Sequence, residues 1–180
     1  MVAALVTDAA AVEPEYREVR VSFSAGRAFP TGDWDYYMES GPSAHLDVGI
    51  TLHPRFDAGV HVGLGTFDNR YLGPFEGSRR GEEWTRYAGG IFGEYTIRPG
   101  RLAPFVGGHI GMHGVHLRYI EVIDDIEGRG EYGFGYGLSC GLRYRGNTRY
   151  GFLARFDAES STGMRPGWFL TLQLGVSFYL

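Results

Sequence analysis

Large apolar side chains recur at every second position through most of this chain, with Gly, Ser or charged residues between them. Successive side chains of an extended strand point to opposite faces, so this period predicts strands with one apolar and one polar face. Eight segments carry it. In 18–29, Val19, Val21, Phe23, Ala25 and Phe29 alternate with Glu18, Arg20, Ser22, Ser24 and Gly26. In 44–53, Leu46, Val48, Ile50 and Leu52 alternate with His45, Asp47, Gly49, Thr51 and His53. Segment 56–66 sets Phe56, Ala58, Val60, Val62 and Leu64 against Asp57, Gly59, His61, Gly63 and Gly65. Segment 85–97 sets Tyr87, Ile91, Tyr95 and Ile97 against Arg86, Ala88, Gly90, Phe92, Glu94 and Thr96. Segment 102–117 opposes Val106, Ile110 and Met112 to Phe105, Gly107, His109, Gly111 and His113, and its parity blurs beyond Gly114. In 132–144 the alternation is cleanest, from Tyr132, Phe134 and Tyr136 to Tyr144, with Gly133, Gly135, Gly137 and Arg143 on the other face. Segment 150–158 sets Tyr150, Phe152, Ala154 and Phe156 against Arg155 and Asp157, and 168–180 sets Trp168, Leu172, Leu174 and Phe178 against Thr171, Gln173, Gly175 and Ser177.

An all-β fold of eight antiparallel strands closes as an up-and-down barrel. The connections alternate in length as such a barrel requires. Short ones lie at His53 to Phe56, Arg98 to Arg101 and Arg145 to Arg149, with Pro54, Pro99-Gly100 and Gly146-Asn147 as turn residues. Long ones run from Pro30 to Ser43, Asp68 to Trp84, Tyr119 to Gly130 and Glu159 to Gly167. Short turns at one end and long loops at the other is the pattern of transmembrane barrels. One barrel domain over 17–180 is expected, preceded by a lead at 1–16 that reads as a signal remnant or a periplasmic extension.

Which face is inside decides between a soluble and a membrane barrel. Glycine supplies 29 of 180 residues and crowds the polar face. As an outer surface that face would be bare, whereas as the lining of a narrow barrel it leaves room for the Arg, Glu, Asp and His side chains among the glycines. Aromatic residues of the apolar face gather at strand ends: Phe56, Tyr95, Tyr144, Tyr150 and Phe178 at the short turns, Phe29, Tyr87, Tyr132 and Trp168 at the long loops. Two aromatic girdles suit the two interfaces of a bilayer. No apolar run is long enough for a spanning helix, but tilted strands of about 9 to 11 residues cross a membrane with only every second residue apolar. The 17 basic and 21 acidic residues are scattered, so no basic stripe marks a nucleic-acid surface. The lone cysteine, Cys140, reads as a small apolar wall residue.

Gly26-Arg27-Ala28-Phe29-Pro30-Thr31-Gly32-Asp33-Trp34, followed by His45 to Leu64, resembles the opening strands of the OmpA/OmpX/opacity-like outer-membrane β-barrel superfamily. Ala103-Pro104-Phe105-Val106-Gly107-Gly108-His109-Ile110-Gly111 looks like that family's middle strand and Leu172 to Leu180 like its closing strand. The chain ends in Leu180 where the family usually ends in Phe, with Phe178 and Tyr179 beside it. The resemblance spans about 18–180 and implies a bacterial outer-membrane location and no cofactor.

For chemistry, the polar parity predicts a lumen network of Arg20, Asp47, His61, Glu94, His109, Arg143, Arg155 and Asp157, joined by Asp57, Arg86, Glu131 and Gln173. Both signs occur in similar numbers, as buried charges require. His45, His53, His61, His109 and His113 share this face, but are expected at different heights of different strands, so no metal site is assigned. No catalytic set is assigned either: no Gly-x-Ser-x-Gly occurs, and the glycines of Gly133 to Gly141 alternate with apolar residues instead of forming a phosphate loop. Glu121, Asp124, Asp125 and Glu127 read as a solvated acidic loop, and Trp34, Tyr36 and Tyr37 as candidates for contact with a partner. The expected function is a non-enzymatic, porin-like barrel in shape, with a structural or surface-interaction role and a packed lumen. Its expected partners are outer-membrane lipid and lipopolysaccharide, with other envelope proteins in second place and no nucleic acid. A subunit of a larger envelope assembly and a lipid-modifying enzyme are the alternatives.

Overall fold

A computed structural model describes residues 18–68, 70, 83–118 and 130–180. Its strands are β1 (Val19–Pro30), β2 (Gly41–His53), β3 (Phe56–Asp68), β4 (Glu83–Thr96), β5 (Leu102–Arg118), β6 (Gly130–Arg145), β7 (Tyr150–Thr162) and β8 (Phe169–Tyr179), with one short helix, α1 (Asp33–Tyr37), between β1 and β2. Each strand pairs antiparallel with the next, and β8 pairs with β1, closing the barrel. Closure leaves no sheet edge, the condition for placing strands in hydrocarbon.

The alternation orients every strand the same way. Leu46, Tyr136 and Leu172 stand on the outer wall, while Arg20, Glu94 and Arg143 are buried inside. Cys140 is on the outer wall as well. Turn chemistry supports the short connections: in the β6–β7 turn the Asn147 Oδ1 accepts hydrogen bonds from the backbone N–H groups of Arg149 and Tyr150 at 2.8 and 2.9 Å. The barrel therefore has a short-turn end and a long-loop end.

Several boundaries differ from the sequence pattern. β3 extends to Asp68 and β7 to Thr162, so Phe67 and Glu159, expected in or beside long loops, point into the barrel. The parity of β5 does not blur after Gly114, because Val115 faces inward in phase with His113. An apolar residue on the polar face misled the reading; it is there because the long-loop end of the lumen is apolar. His53, expected inside, is exposed at the β2–β3 turn, where the register shifts between Thr51 and His53. The lead at 1–16 and the acidic group Glu121, Asp124, Asp125 and Glu127 lie outside the described residues.

Helix α1 closes the long-loop end. Trp34 and Met38, four residues apart and so on one helical face, are both buried beneath it. Gly32 precedes the helix at φ 64°, a left-handed conformation that glycine adopts without a Cβ penalty. Asp33 and Asp35 occupy the first turn, where the helix dipole favours negative charge. Trp34 packs on Phe169 and Trp84 with ring centroids 5.7 and 6.3 Å apart, and Phe67 on Phe169 at 5.5 Å. With Ala28, Met38 and Val115 these rings form an apolar lid across the mouth.

Candidate functional site

Below the lid the lumen is polar and stacked in levels. Nearest the short turns, Asp57 on β3 and Glu94 on β4 stand directly opposite each other. Two like charges in that position repel, and two arginines resolve it. Arg20 from β1 donates to Asp57 at 2.6 Å and also to Glu94, while Arg143 from β6 donates to Glu94 at 2.6 Å and to Asp57 at 3.3 Å. The four side chains clamp together strands from opposite sides of the barrel. The Arg20 and Arg143 guanidiniums lie over the rings of Phe92 and Phe105, at 5.7 and 5.0 Å from the centroids.

One level higher, Arg155 on β7 donates to Asp47 and to Asp157, both at 2.6 Å, and lies 3.9 Å from Glu94. Ser22 and Ser177 share a hydrogen bond at 2.8 Å, and Ser24 donates to Gln173 at 2.9 Å. Burying this many ions is tolerable only because each meets an opposite charge.

The third level, under the lid, is built differently. His61 on β3 pairs across with Gly90 on β4, Gly90 with Gly111 on β5, and Gly111 lies between His109 and His113 on the same face. With no side chain on Gly90 or Gly111, the three rings meet above them: His61 and His109 have centroids 4.5 Å apart, His109 and His113 5.9 Å. The same device works on the far side. His109 pairs with Gly137 on β6 and Gly137 with Glu159 on β7, so Glu159 Oε1 reaches to 3.2 Å from His109 Nε2. A Cβ on Gly137 would run into the His109 ring, and one on Gly135 into the His113 ring. Arg86 pairs with Glu159 on its other side and covers the Phe169 ring at 4.7 Å.

All eight residues named from parity as the lumen network, Arg20, Asp47, His61, Glu94, His109, Arg143, Arg155 and Asp157, are buried there. They belong to two groups: the arginine and carboxylate levels, and the imidazole level. Glu159 was missed, although it continues the Arg155, Asp157 phase; the Ser160-Ser161-Thr162 stretch after it looked like a loop. The expectation that the histidines sit at different heights does not hold for His61, His109 and His113, whose ligand-capable atoms all lie within 4.8 Å of one another. Glu131 lies at the mouth and not in the network, accepting from Arg165 Nε at 2.9 Å. That hydrogen bond holds the Arg165 guanidinium above its usual range.

Of the partner candidates, Trp34 is a correction. It is 1% exposed inside the lid, because the helix turns it inward with Met38. Tyr36 is exposed, and Tyr37 is half-buried with the Arg165 guanidinium 4.2 Å over its ring. The girdle residues Phe29, Tyr87, Tyr132, Trp168, Phe56, Tyr95, Tyr144, Tyr150 and Phe178 are all exposed on the outer wall.

A closed eight-stranded barrel, apolar outside and ionic inside, defines the class of small transmembrane β-barrels. Its fold is that of solved outer-membrane barrels. Neisserial surface protein A is 13% identical, with a TM-score of 0.66 over 89% of this chain and 96% of that one. The attachment invasion locus protein Ail of Yersinia pestis, solved with the heparin analogue sucrose octasulfate, is 13% identical with a TM-score of 0.60, over 92% of this chain and 100% of that one. The N-terminal β-barrel domain of Pseudomonas aeruginosa OprF is 13% identical with a TM-score of 0.58, over 91% and 97%. No protein-family model matches the chain, and neither does any curated protein.

Proposed function

We propose that this protein is a non-enzymatic barrel of the bacterial outer membrane with a structural or surface-interaction role. Its long loops face outward and its short turns face the periplasm. One observation carries the reading: the outer wall is apolar over most of its height, with Arg27 near the long-loop end an exception, while most strand charges are buried in the middle. In water that arrangement would expose Leu138, Leu172 and Leu174 while the interior is taken up by paired ions instead of apolar side chains; in a bilayer it is the stable one.

A structural role is favoured because the lumen is filled and lidded, leaving its polar groups out of reach of a lipid or peptide substrate. Arg55, Arg98, Arg101 and Arg149 are exposed at the short turns, while among the described residues of the long-loop end exposed Asp33, Asp35, Glu39 and Asp68 stand beside Arg27, Arg70 and Arg165. The arginine rim suits contact with lipid phosphates, and the exposed Tyr36 beside Arg165 and Tyr37 is the best candidate for surface contact. Phospholipid is accordingly its proposed partner at the periplasmic rim, and lipopolysaccharide its proposed partner at the loop end. Cell fractionation combined with heat-modifiable mobility on a denaturing gel tests the proposal. Recovery in the outer-membrane fraction, in a folded form that resists detergent until heated, is expected; a soluble monomer without such a form would overturn it.

A further inference from the structure

We infer that His61, His109 and His113 form a buried site for a borderline divalent transition metal of the zinc class, with Glu159, which reaches His109 but stands outside the group of three mutually close rings, as the carboxylate that would complete it by a side-chain shift. Three imidazoles and one carboxylate are a donor set that Zn²⁺ accepts in a closed tetrahedron, at about 2.0 to 2.2 Å per bond. The edge of such a tetrahedron is about 3.4 Å. Glu159 Oε1 and His109 Nε2 stand 3.2 Å apart, close to that edge and outside the angle of a hydrogen bond. The three imidazole donors lie within 4.8 Å of one another. The remaining gap is within the broad swing of a His ring about χ2.

The second observation is unsatisfied polarity. Both ring nitrogens of His61 and of His109, Nε2 of His113 and Oε1 of Glu159 are buried with no hydrogen-bond partner among the described residues. Orphaned buried polar atoms are costly; others occur elsewhere in the lumen, at Arg20 Nε, Asp47 Oδ1, Arg143 Nε and Asp157 Oδ2, but among the described residues only at His61, His109 and His113 do three metal-ligating side chains carrying them stand close together. The ring of His45, on the strand beside β3, also has both nitrogens without a partner among the described residues, and it lies outside the group of mutually close donors. The third observation is room. Gly135 and Gly137 are the positions at which a side chain would run into the His113 and His109 rings, and at Gly90 and Gly111 a Cβ would meet the backbone of the paired strand. The buried charges agree: Arg20, Arg86, Arg143 and Arg155 face five carboxylates, Asp47, Asp57, Glu94, Asp157 and Glu159, an excess of one negative charge among the described residues.

The lid above and the arginine clamp below close the site, so metal has to be supplied as the barrel folds. Untagged full-length protein is unfolded in urea and refolded into detergent micelles with Zn²⁺ or Co²⁺. After exhaustive passage over a chelator, metal is counted by mass spectrometry and Co²⁺ read by visible absorption. About one metal per folded barrel, with the intense d–d bands of tetrahedral Co²⁺, is expected. His109→Ala and His61→Ala should lower retention at least about tenfold, whereas His53→Ala, at the exposed turn, should leave it unchanged. The heat-modifiable band reports folding of each variant separately. Folded wild-type barrel that retains no metal, shows only weak octahedral Co²⁺ absorption, or retains it as well after His109→Ala, would overturn the inference and leave the membrane-barrel reading standing.

Discussion

The lower and upper halves of the lumen are lined by the same alternation, yet they handle buried polarity in opposite ways. Near the short turns, Arg20, Asp57, Glu94 and Arg143 satisfy one another, each ion meeting two of opposite sign. Under the lid, His61 and His109 meet no hydrogen-bonding partner among the described residues. The lower cluster pairs every charge and accounts for rigidity, although Arg20 Nε and Arg143 Nε meet no hydrogen-bond partner among the described residues, while the upper one leaves both nitrogens of two imidazoles open. Similar inward positions on one barrel can therefore serve either stability or binding, and the neighbours decide which.

The largest effect should come from breaking the charge-paired half. Glu94→Ala leaves Arg20 and Arg143 to share Asp57, and uncompensated buried charge costs about 3–5 kcal/mol. Urea unfolding in lipid or detergent micelles would measure it, and a loss below about 1 kcal/mol would place the clamp among solvent-screened pairs. Gly137→Ala puts a methyl group on the His109 ring and should cost about 1–3 kcal/mol by overpacking. Unchanged stability there would mean that the upper rings are not held in place.

His61→Ala sharpens the contrast between the halves. Without metal the loss is expected to be about 1 kcal/mol or less, because the change removes unpartnered polar atoms along with the ring's packing. With metal at a hundred times its dissociation constant, wild type should gain about 2.7 kcal/mol that the variant lacks. Equal stabilisation of both proteins would break the comparison. At the mouth, Arg165→Ala removes a partly exposed pair with Glu131 and should change stability by less than about 0.5 kcal/mol.

Much of this architecture can be read from residue order. The run from Tyr132 to Tyr144 predicts a strand of β6 almost to its ends, and most residues named for the lumen from parity lie there, with Glu131 at the mouth and His53 at an exposed turn as the exceptions. Legibility fails where composition departs from the two-face rule. Phe67, Val115 and Phe169 are apolar but inward, since they form the underside of the lid, and Trp34 looked like a loop residue awaiting a partner. Glu159 was lost behind three small hydroxyl residues that resemble a loop and are strand.

The sequence by itself determined which side chains face lipid and which face the middle, because strand geometry sends neighbouring residues to opposite faces whatever the fold around them. Only the tertiary structure decided who meets whom across the lumen. Those meetings depend on the register between strands and on glycines in the strands between, and these bring His61 to His109 over Gly90 and Gly111 and Glu159 to His109 over Gly137. Register is a property of closure, which no single segment encodes.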